Sequence, residues 1–129
     1  MRLFHQDTEA WEVVDSKAVE PIPVYSENEL QELQVARVHN TSMHRTYMFD
    51  LKHAADLPSA VVFARNKLLQ EAAEKEYGIF ITEGWSVTHL RKGKDHRAEV
   101  RYTARPASVL SKDIPSREPP FLAILAKSD

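Results

Sequence analysis

The sequence predicts an α+β fold in which an antiparallel sheet of about four to five strands wraps around one long helix at residues 57–77. Residues 57–77 repeat apolar side chains at the spacing of one helix face, and residues 78–105 alternate apolar and polar side chains as paired strands do. The chain has 129 residues, 43% of them hydrophobic, which suits one domain with a single core. We expect a partly ordered acidic lead-in at 1–25, a core domain at 26–106 and a proline-containing C-terminal wrap at 107–129.

The segment before the long helix is predicted to hold a short helix and a hairpin. Ser26 and Glu29 have the spacing of a capping box, which indicates a helix that begins at this point. Residues 34–53 alternate apolar and polar side chains beside a turn at 40–43, which favours a hairpin. Trp11 is the large apolar side chain of the lead-in, and we expect it to anchor that segment on the core.

The long helix is predicted from its ends as well as from its apolar stripe. Asp56 is a suitable N-cap, a proline is tolerated in the first turn, and Gly78 is expected to end the helix. The stripe is centred on Val61, Leu68 and Ala72. We expect its burial against the sheet to stabilise the fold by roughly 1.5 to 3 kcal/mol for each fully buried large aliphatic side chain.

Two strands on either side of a turn at 92–95 form the clearest hairpin in the sequence. If Arg91 lies opposite His96, the side chains of the two strands sort onto two different faces. The face towards the helix then pairs Trp85 with Tyr102, Val87 with Val100 and His89 with Ala98. The other face pairs Ser86 with Arg101, Thr88 with Glu99 and Leu90 with Arg97. A shift of one residue would lose this sorting, so we expect this register.

The C-terminal segment is predicted to run over the core as a loop. Prolines at 115, 119 and 120 disfavour a continuous helix or a central strand there. Residues 121–126 are apolar enough to form either a last strand or a short docking helix.

Composition excludes several classes of protein. The chain has no cysteine, so it contains neither a disulfide framework nor a thiolate metal site, and this favours an intracellular protein of the cytoplasm or nucleus. The N-terminal residues lack the apolar stretch of a signal peptide, and no window of 18 apolar residues indicates a membrane span, so we expect no membrane partner. The three glycines are isolated and form no phosphate-binding loop, and we predict no cofactor.

Charge is divided unevenly along the chain, although the net charge is −2 and the pI is about 6.3. Residues 1–33 contain eight acidic and two basic residues, whereas residues 78–106 contain six basic and three acidic residues. The basic residues of the second region are Arg91, Lys92, Lys94, Arg97, Arg101 and Arg105. On one strand face, guanidinium groups at alternate positions repeat about every 6.6 Å and suit carboxylates or phosphates.

We therefore predict a non-catalytic binding module whose basic hairpin contacts an anionic partner, either an acidic protein surface or a nucleic acid. The predicted register turns Trp85 and Tyr102 inwards, so no aromatic side chain interleaves the arginine row, and stacking of single-stranded bases is disfavoured. Two other interpretations stay open. Either Glu99 neutralises its neighbours on an ordinary solvated sheet face, or the acidic lead-in lies over the hairpin and cancels its field.

Arg65 is the basis of a second hypothesis, a small-molecule pocket or a modest enzyme between helix and sheet. Its place in the middle of the apolar stripe requires a partner for a buried charge. In this hypothesis Arg65 anchors a carboxylate or phosphate and His89 acts as acid or base. The pocket walls would be Trp85, His89, Tyr102 and Tyr47. In a purely structural role, the guanidinium of Arg65 would instead reach an internal acid such as Glu83 or Glu76.

No stronger catalytic or metal-binding pattern is present. His39 and His44 bracket a turn, but His53 lies roughly 30 Å further along an extended strand and cannot complete a metal site with them. The sequence contains no HExxH motif, and the predicted register places no histidine beside a serine nucleophile. We therefore predict no metal site, and the oligomeric state stays open.

The order of a helix followed by antiparallel strands is similar to that of the double-stranded-RNA-binding domains and of the cystatin-like sheets that wrap one helix. The resemblance is limited to this order of elements. The basic residues do not lie at the start of a second helix, and the inhibitory loop motif of the cystatins is missing. Element order alone implies a fold and not a function.

Overall fold

The structure, a computed structural model, describes residues 10–125 and shows an α+β fold with an antiparallel five-stranded sheet. The strands are β1 (Glu12–Pro23), β2 (Val35–Val38), β3 (Met43–Leu51), β4 (Ile79–Lys92) and β5 (Asp95–Val109). The α-helices are α1 (Glu27–Leu33) and α2 (Leu57–Glu74), and short 3-10 helices occupy Ala54–Asp56 and Leu122–Leu125. The predicted fold class and antiparallel sheet are confirmed.

The central hairpin of the sheet has the register that the sequence predicts. Trp85 pairs with Tyr102, and Ser86 pairs with Arg101, so the indole of Trp85 and the guanidinium of Arg101 lie on opposite faces. Lys92 and Asp95 close a two-residue turn. Gly93, at the first turn position, has a φ of 62°, a conformation that suits a tight hairpin and favours glycine.

The predicted hairpin at residues 34–53 is wrong, although both of its strands exist. β3 pairs with residues 96–104 of β5, and β2 pairs with residues 107–109 of the same strand. The backbone N–H of His39 donates to the carbonyl of Pro106 at 2.9 Å, so the chain between β2 and β3 stays beside β5 instead of turning back. β2 and β3 together therefore form one interrupted edge strand.

The long helix is shorter than the predicted 57–77 and ends at Glu74. Glu76 takes the left-handed conformation with a φ of 71°, so the chain turns before Gly78, and Tyr77 is buried against the core. Asp56 does not cap the helix with its side chain. Its backbone is already helical, at φ −84° and ψ −1°, and its carboxylate accepts hydrogen bonds from the N–H groups of Lys52 and His53 instead.

Two clusters of buried side chains form the core. The predicted stripe of α2, with Val61, Leu68 and Ala72, packs against one face of the sheet at Trp85 and Tyr102. The second cluster joins Leu33 of α1 with Tyr25, Ile79 and Ala107. The capping box that starts α1 is confirmed, since the Glu29 N–H donates to the Ser26 hydroxyl at 3.1 Å and the Glu29 carboxylate accepts from the Ser26 N–H at 2.8 Å.

Half of the expected lead-in is the strand β1, which pairs with β4 from Glu12 to Pro23. The sequence does not show this strand because nearly all of its side chains are exposed, so apolar and polar residues do not alternate. β1 lies very close to β4 at Gly84, where an added Cβ would be 2.5 Å from the backbone nitrogen of Pro21. Residues 1–9 of the lead-in lie outside the described part of the chain.

The C-terminal segment runs over the open end of the core. The indole N–H of Trp85 donates to the carbonyl of Pro120 at 2.9 Å, and Leu122 and Leu125 pack against the cluster around α2. Of the two predicted alternatives, a short helix is the one found, although Ala126 lies beyond the described residues. Among residues 10–125, neither helix is both long enough and apolar enough to cross a membrane.

Candidate binding surface

The face of the sheet opposite α2 carries the predicted arginine row. Alternation along β5 puts Arg97, Arg101 and Arg105 on this face together with Glu99. Arg101 is the most open of these residues, since 67% of its side chain is exposed and its nearest carboxylate, that of Glu99, is 3.9 Å away. The middle of the face is therefore open to solvent and contains one largely free guanidinium group.

A cavity of about 530 Å³ lies at the end of the sheet next to the β4–β5 turn. Its lining combines one aromatic ring with charged side chains from β3 and β5: Trp11, Asp50, Leu51, Lys52, Lys94, Asp95, His96 and Arg97. We call the side chains Trp11, Lys52, Lys92, Lys94 and Arg97 the tip surface.

Arg97 and Trp11 form the ordered part of the tip surface. The Arg97 guanidinium stacks 4.3 Å from the centre of the Trp11 ring, and its Nε donates to the Asp50 carboxylate at 3.1 Å. The ammonium of Lys92 lies 5.6 Å from the same ring. Cation–π attraction draws both cations to the same aromatic ring, so these three side chains hold one another in place.

Lys52 and Lys94 make up the freer part of the tip surface. Within residues 10–125, no carboxylate lies within 4 Å of the ammonium groups of Lys52, Lys92 or Lys94. The carboxylate of Asp95 has no such ion pair either. Around the cavity, Lys52, Lys94 and Asp95 are therefore charged side chains without an ion pair in the described part of the chain, and Lys92 lies next to them.

The structure does not bring all six predicted basic residues together. Arg91 shares the inner face with His89 and pairs with Glu12 of β1 at 3.2 Å. Arg105 lies eight residues from Arg97, about 26 Å along the strand, and its Nε donates to the carbonyl of His39 at 2.8 Å. Lys92, Lys94 and Arg97 lie at the tip surface, and Arg101 lies between the two ends of the row.

The sequence argument missed Trp11 and Lys52. Trp11 was expected to anchor the lead-in on the core, and no aromatic side chain was expected beside the arginine row, but Trp11 stacks on Arg97 at the open face. The physical reason is that Trp11 immediately precedes β1, whose pairing with β4 carries the ring to the outer side of the hairpin. Recognition of β1 as a strand would have been the signal needed to find it.

Arg65, the residue of the second hypothesis, is tied to a buried acid. Its Nε donates to Glu83 at 2.7 Å and its Nη2 to the second carboxylate oxygen at 3.3 Å, while the Tyr102 hydroxyl donates to Glu83 at 2.6 Å. The side chains of Arg65 and Glu83 are only 9% and 1% exposed. Burial by itself would lower the pKa of Arg65, but the hydrogen bonds and the charge of Glu83 raise it above its ordinary value. Burial also raises the pKa of Tyr102, and the charge of Glu83 raises it further.

A small cavity of about 210 Å³ does open beside Arg65, but its walls differ from those predicted. They come from the middle of α2, the start of β4, the C-terminal segment and the residue Tyr25 after β1: Tyr25, Asn66, Leu69, Gly78, Ile79, Ile114, Pro115, Ser116 and Arg117. Trp85, His89, Tyr102 and Tyr47 do not line it. The anion anchor and the proposed acid or base are therefore not brought together around one cavity.

His89 is paired with another histidine instead of a carboxylate. Its Nε2 lies 2.9 Å from Nδ1 of His96, so the N–H of one ring donates a hydrogen bond to the ring nitrogen of the other. Burial lowers the pKa of His89, and the nearby His96 and Arg91 lower it further, whereas Asp15 opposes them. Within residues 10–125, no group of three or more histidine or acidic side chains is placed to hold a metal ion.

Comparison of the chain with protein-family models, with curated proteins and with solved structures found no match. The interpretation of its function therefore rests on the geometry of its own residues. Of the surfaces described, the tip surface combines free cations, an aromatic ring and a depression, a set that suits charge-dependent contact with another molecule.

Proposed function

We propose that this protein is a small non-catalytic binding domain that contacts an acidic segment of a protein partner through its tip surface. The observation that supports this proposal is the charge of the tip surface, where Lys52, Lys92 and Lys94 form no ion pair within residues 10–125 and Asp95 is the cavity carboxylate that is likewise unpaired there. Carboxylates of a partner would complete ion pairs that residues 10–125 leave open.

An acidic protein segment fits this surface better than a nucleic acid does. The pI of about 6.3 is far below that of a typical nucleic-acid-binding domain, and Asp50 and Asp95 lie in the cavity, where they would repel a continuous line of phosphates. A peptide can place its acidic side chains on the lysines and its other side chains beside these carboxylates. Mixed charge therefore favours a partner with separate acidic groups.

Arg101 extends the same surface towards the middle of the sheet. Its side chain is 67% exposed, and the 3.9 Å separation from Glu99 is too long for a strong ion pair. Arg101 is therefore available to a partner that occupies both the tip and the open face. By contrast, Arg91 and Arg105 are engaged within the chain and contribute less.

The test is a binding titration with a fluorescein-labelled peptide of alternating glutamate and glycine, followed by fluorescence anisotropy at low ionic strength. We expect the double variant Lys92→Glu/Lys94→Glu to bind at least tenfold more weakly than the unmodified chain, because two attractive charges become repulsive. The affinity of the unmodified chain should fall as salt is added, since the contacts are exposed.

The matched control is Lys75→Glu/Lys112→Glu, which makes the same charge change at exposed positions away from the tip. This variant should bind the peptide within about twofold of the unmodified chain. Equal loss in both double variants would mean that only net charge matters, and tighter binding of a labelled single-stranded DNA of the same charge would contradict the choice of an acidic protein partner.

A further inference from the structure

We propose that two copies of this chain associate by antiparallel pairing of β3 with β3 and form one continuous sheet across the dimer. The proposal goes beyond the proposed function and does not depend on it. It rests on a difference between the two edges of the sheet, on the self-complementary sequence of β3 and on an apolar groove beside that strand.

The two edges of the sheet differ in how well they are protected against pairing. β1 has two register irregularities against β4, a central lysine at Lys17 and prolines at 21 and 23, all features that hinder the addition of another strand. β3 pairs with β5 without any irregularity over nine residues, and it contains neither proline nor glycine. Within residues 10–125, no strand pairs with the other side of β3. β3 is therefore the edge open to a further strand.

The sequence of β3 is complementary to itself in one antiparallel register. A two-fold axis at Tyr47 would place His44 opposite Asp50 of the second copy and Thr46 opposite Met48 of the second copy. Each histidine–aspartate pair occurs twice because of the symmetry. On the inner face, Arg45 would lie opposite the aromatic ring of Phe49, an arrangement that allows cation–π attraction.

The side chains needed for this pairing have hydrogen-bonding atoms or exposed surface that the single chain does not use. His44 uses Nδ1 for the Thr103 hydroxyl at 3.2 Å, which leaves Nε2 for a second partner. Asp50 uses Oδ1 for Arg97, and 83% of its side chain is exposed. Thr46 is exposed, and Met48 is 51% exposed although it is apolar. A second β3 would cover this methionine.

The groove between β3 and α2 supplies apolar area for the same contact. It has a volume of about 350 Å³, and its apolar walls include Phe49, Leu51, Ala60 and Phe63. Phe63 is 58% exposed, and its ring lies 6.4 Å from that of Phe49. β3 forms one wall of this groove and α2 forms the other. A second copy that pairs with β3 would bring its own helix towards Phe63 and would remove apolar surface from water.

The test uses disulfide formation in a chain that has no cysteine of its own. In the double variant Thr46→Cys/Met48→Cys, each cysteine faces the other cysteine of the second copy, and two disulfides close across the axis. We expect oxidation to give a covalent dimer that a reductant reverses. Within one chain, side chains two residues apart on a strand are too distant for a disulfide, so the product reports on the contact between copies.

Three controls make the result specific for the edge and for the register. Thr46→Cys and Met48→Cys alone should stay largely monomeric on oxidation, because neither residue faces itself. Ser16→Cys/Ala18→Cys places the same pair on exposed positions of β1 and should also stay monomeric. A covalent dimer from either single variant, equal dimer from the β1 pair, or no dimer from the β3 pair would overturn the proposal.

A second measurement does not depend on disulfide chemistry. In sedimentation equilibrium, His44→Asp should raise the dimer dissociation constant by about tenfold, because it sets carboxylates opposite carboxylates twice. The exchange His44→Asp/Asp50→His again places a histidine opposite each aspartate and should recover most of the lost dimer affinity. A monomeric unmodified chain at the concentrations used for oxidation, or no recovery in the exchanged variant, would contradict β3 pairing.

Discussion

Arg65 illustrates, at the scale of single residues, how a buried charge requires a partner. Its guanidinium donates two hydrogen bonds to Glu83, which also accepts one from Tyr102, so the carboxylate is satisfied without water. Such a group is costly to disrupt, because removal of one partner leaves the other charge buried and unpaired.

We therefore expect Arg65→Met to lower the free energy of unfolding by about 3 to 5 kcal/mol. The double variant Arg65→Met/Glu83→Gln should recover much of this loss, since the amide is uncharged and still accepts from Tyr102. Urea denaturation of the two variants and of Glu83→Gln measures the coupling. An Arg65→Met variant as stable as the unmodified chain would show that the pair is not structural and would revive the hypothesis of a ligand anchor.

The lowered pKa of His89 makes the stability of the protein depend on pH. Burial and the neighbouring His96 and Arg91 lower its pKa in the folded chain, whereas in the unfolded chain it takes up a proton near pH 6.5. The unfolded state therefore binds more protons in acid, and this contribution to stability is present above about pH 6.5 and is lost as the pH falls through the folded pKa.

The measurement is the free energy of unfolding in urea at successive pH values from neutral to about pH 5. His89→Gln removes the titrating group, so the slope with pH in this window should become smaller by up to about 1.4 kcal/mol per pH unit, the value for one proton. Arg105→Gln leaves the histidine pair intact and is the control. An unchanged slope in His89→Gln would contradict the role given to the buried pair.

At the scale of elements, the close approach of β1 to β4 depends on one glycine. A Cβ at Gly84 would lie 2.5 Å from the nitrogen and 2.7 Å from the Cα of Pro21, and these are backbone atoms that cannot move without moving the strand. We expect Gly84→Ala to destabilise the protein by about 1 to 3 kcal/mol, as overpacking does.

Gly78→Ala is the matched control, since its Cβ would meet only the end of the Ile114 side chain at 3.5 Å. That change should alter stability by less than about 1 kcal/mol, and its sign should be favourable because alanine restricts the unfolded chain. Thermal unfolding separates the two variants, and amide exchange in β1 should rise only in Gly84→Ala. Equal stability of both variants would show that β1 is not held against β4 at this point.

Prediction from the sequence succeeded where the side chains of a local hairpin alternate between a buried face and an exposed face. The β4–β5 register followed from alternation, because one face of the hairpin is buried against α2 and the other is open. β1 has no such signal, since its exposed edge position places no constraint on which side chains are apolar. β2 and β3 were identified as strands but given the wrong partner, because their true partner β5 lies more than 40 residues away along the chain.

At the candidate sites too, local sequence placed some residues correctly, whereas residues that depend on long-range strand pairing were misplaced. The place of Arg65 on the helix stripe was enough to indicate a buried ion pair and to name Glu83 as one possible acid. Trp11 could not be placed beside Arg97, because its position follows from the pairing of β1, which the sequence does not reveal. The wrong end of α2 has a local cause, since Glu76 takes the left-handed conformation and turns the chain before Gly78, the residue that was expected to end the helix.

At the scale of the whole molecule, the buried core and the exposed charged surface lie on opposite sides of one sheet. The inner face holds α2 and the ion pair of Arg65, while the outer face holds Arg101 and leads to the tip surface at its end. Pairing of two copies through β3 would leave Lys92 and Lys94 of each tip surface exposed, because these residues lie on the β4–β5 hairpin, whereas Lys52 and the cavity residue Asp50 would lie beside the second copy. A dimer would then present two binding surfaces and could gain affinity for a partner with two acidic segments.

The most direct test of the binding surface is a nuclear magnetic resonance titration of the isotope-labelled chain with the glutamate–glycine peptide at low ionic strength. The account predicts shifts confined to the Trp11 indole, the backbone around Lys52 and residues 92–97, with smaller changes at Arg101, and their loss at high salt. Shifts concentrated on α2 or the C-terminal segment, or binding that leaves residues 92–97 unchanged, would contradict it.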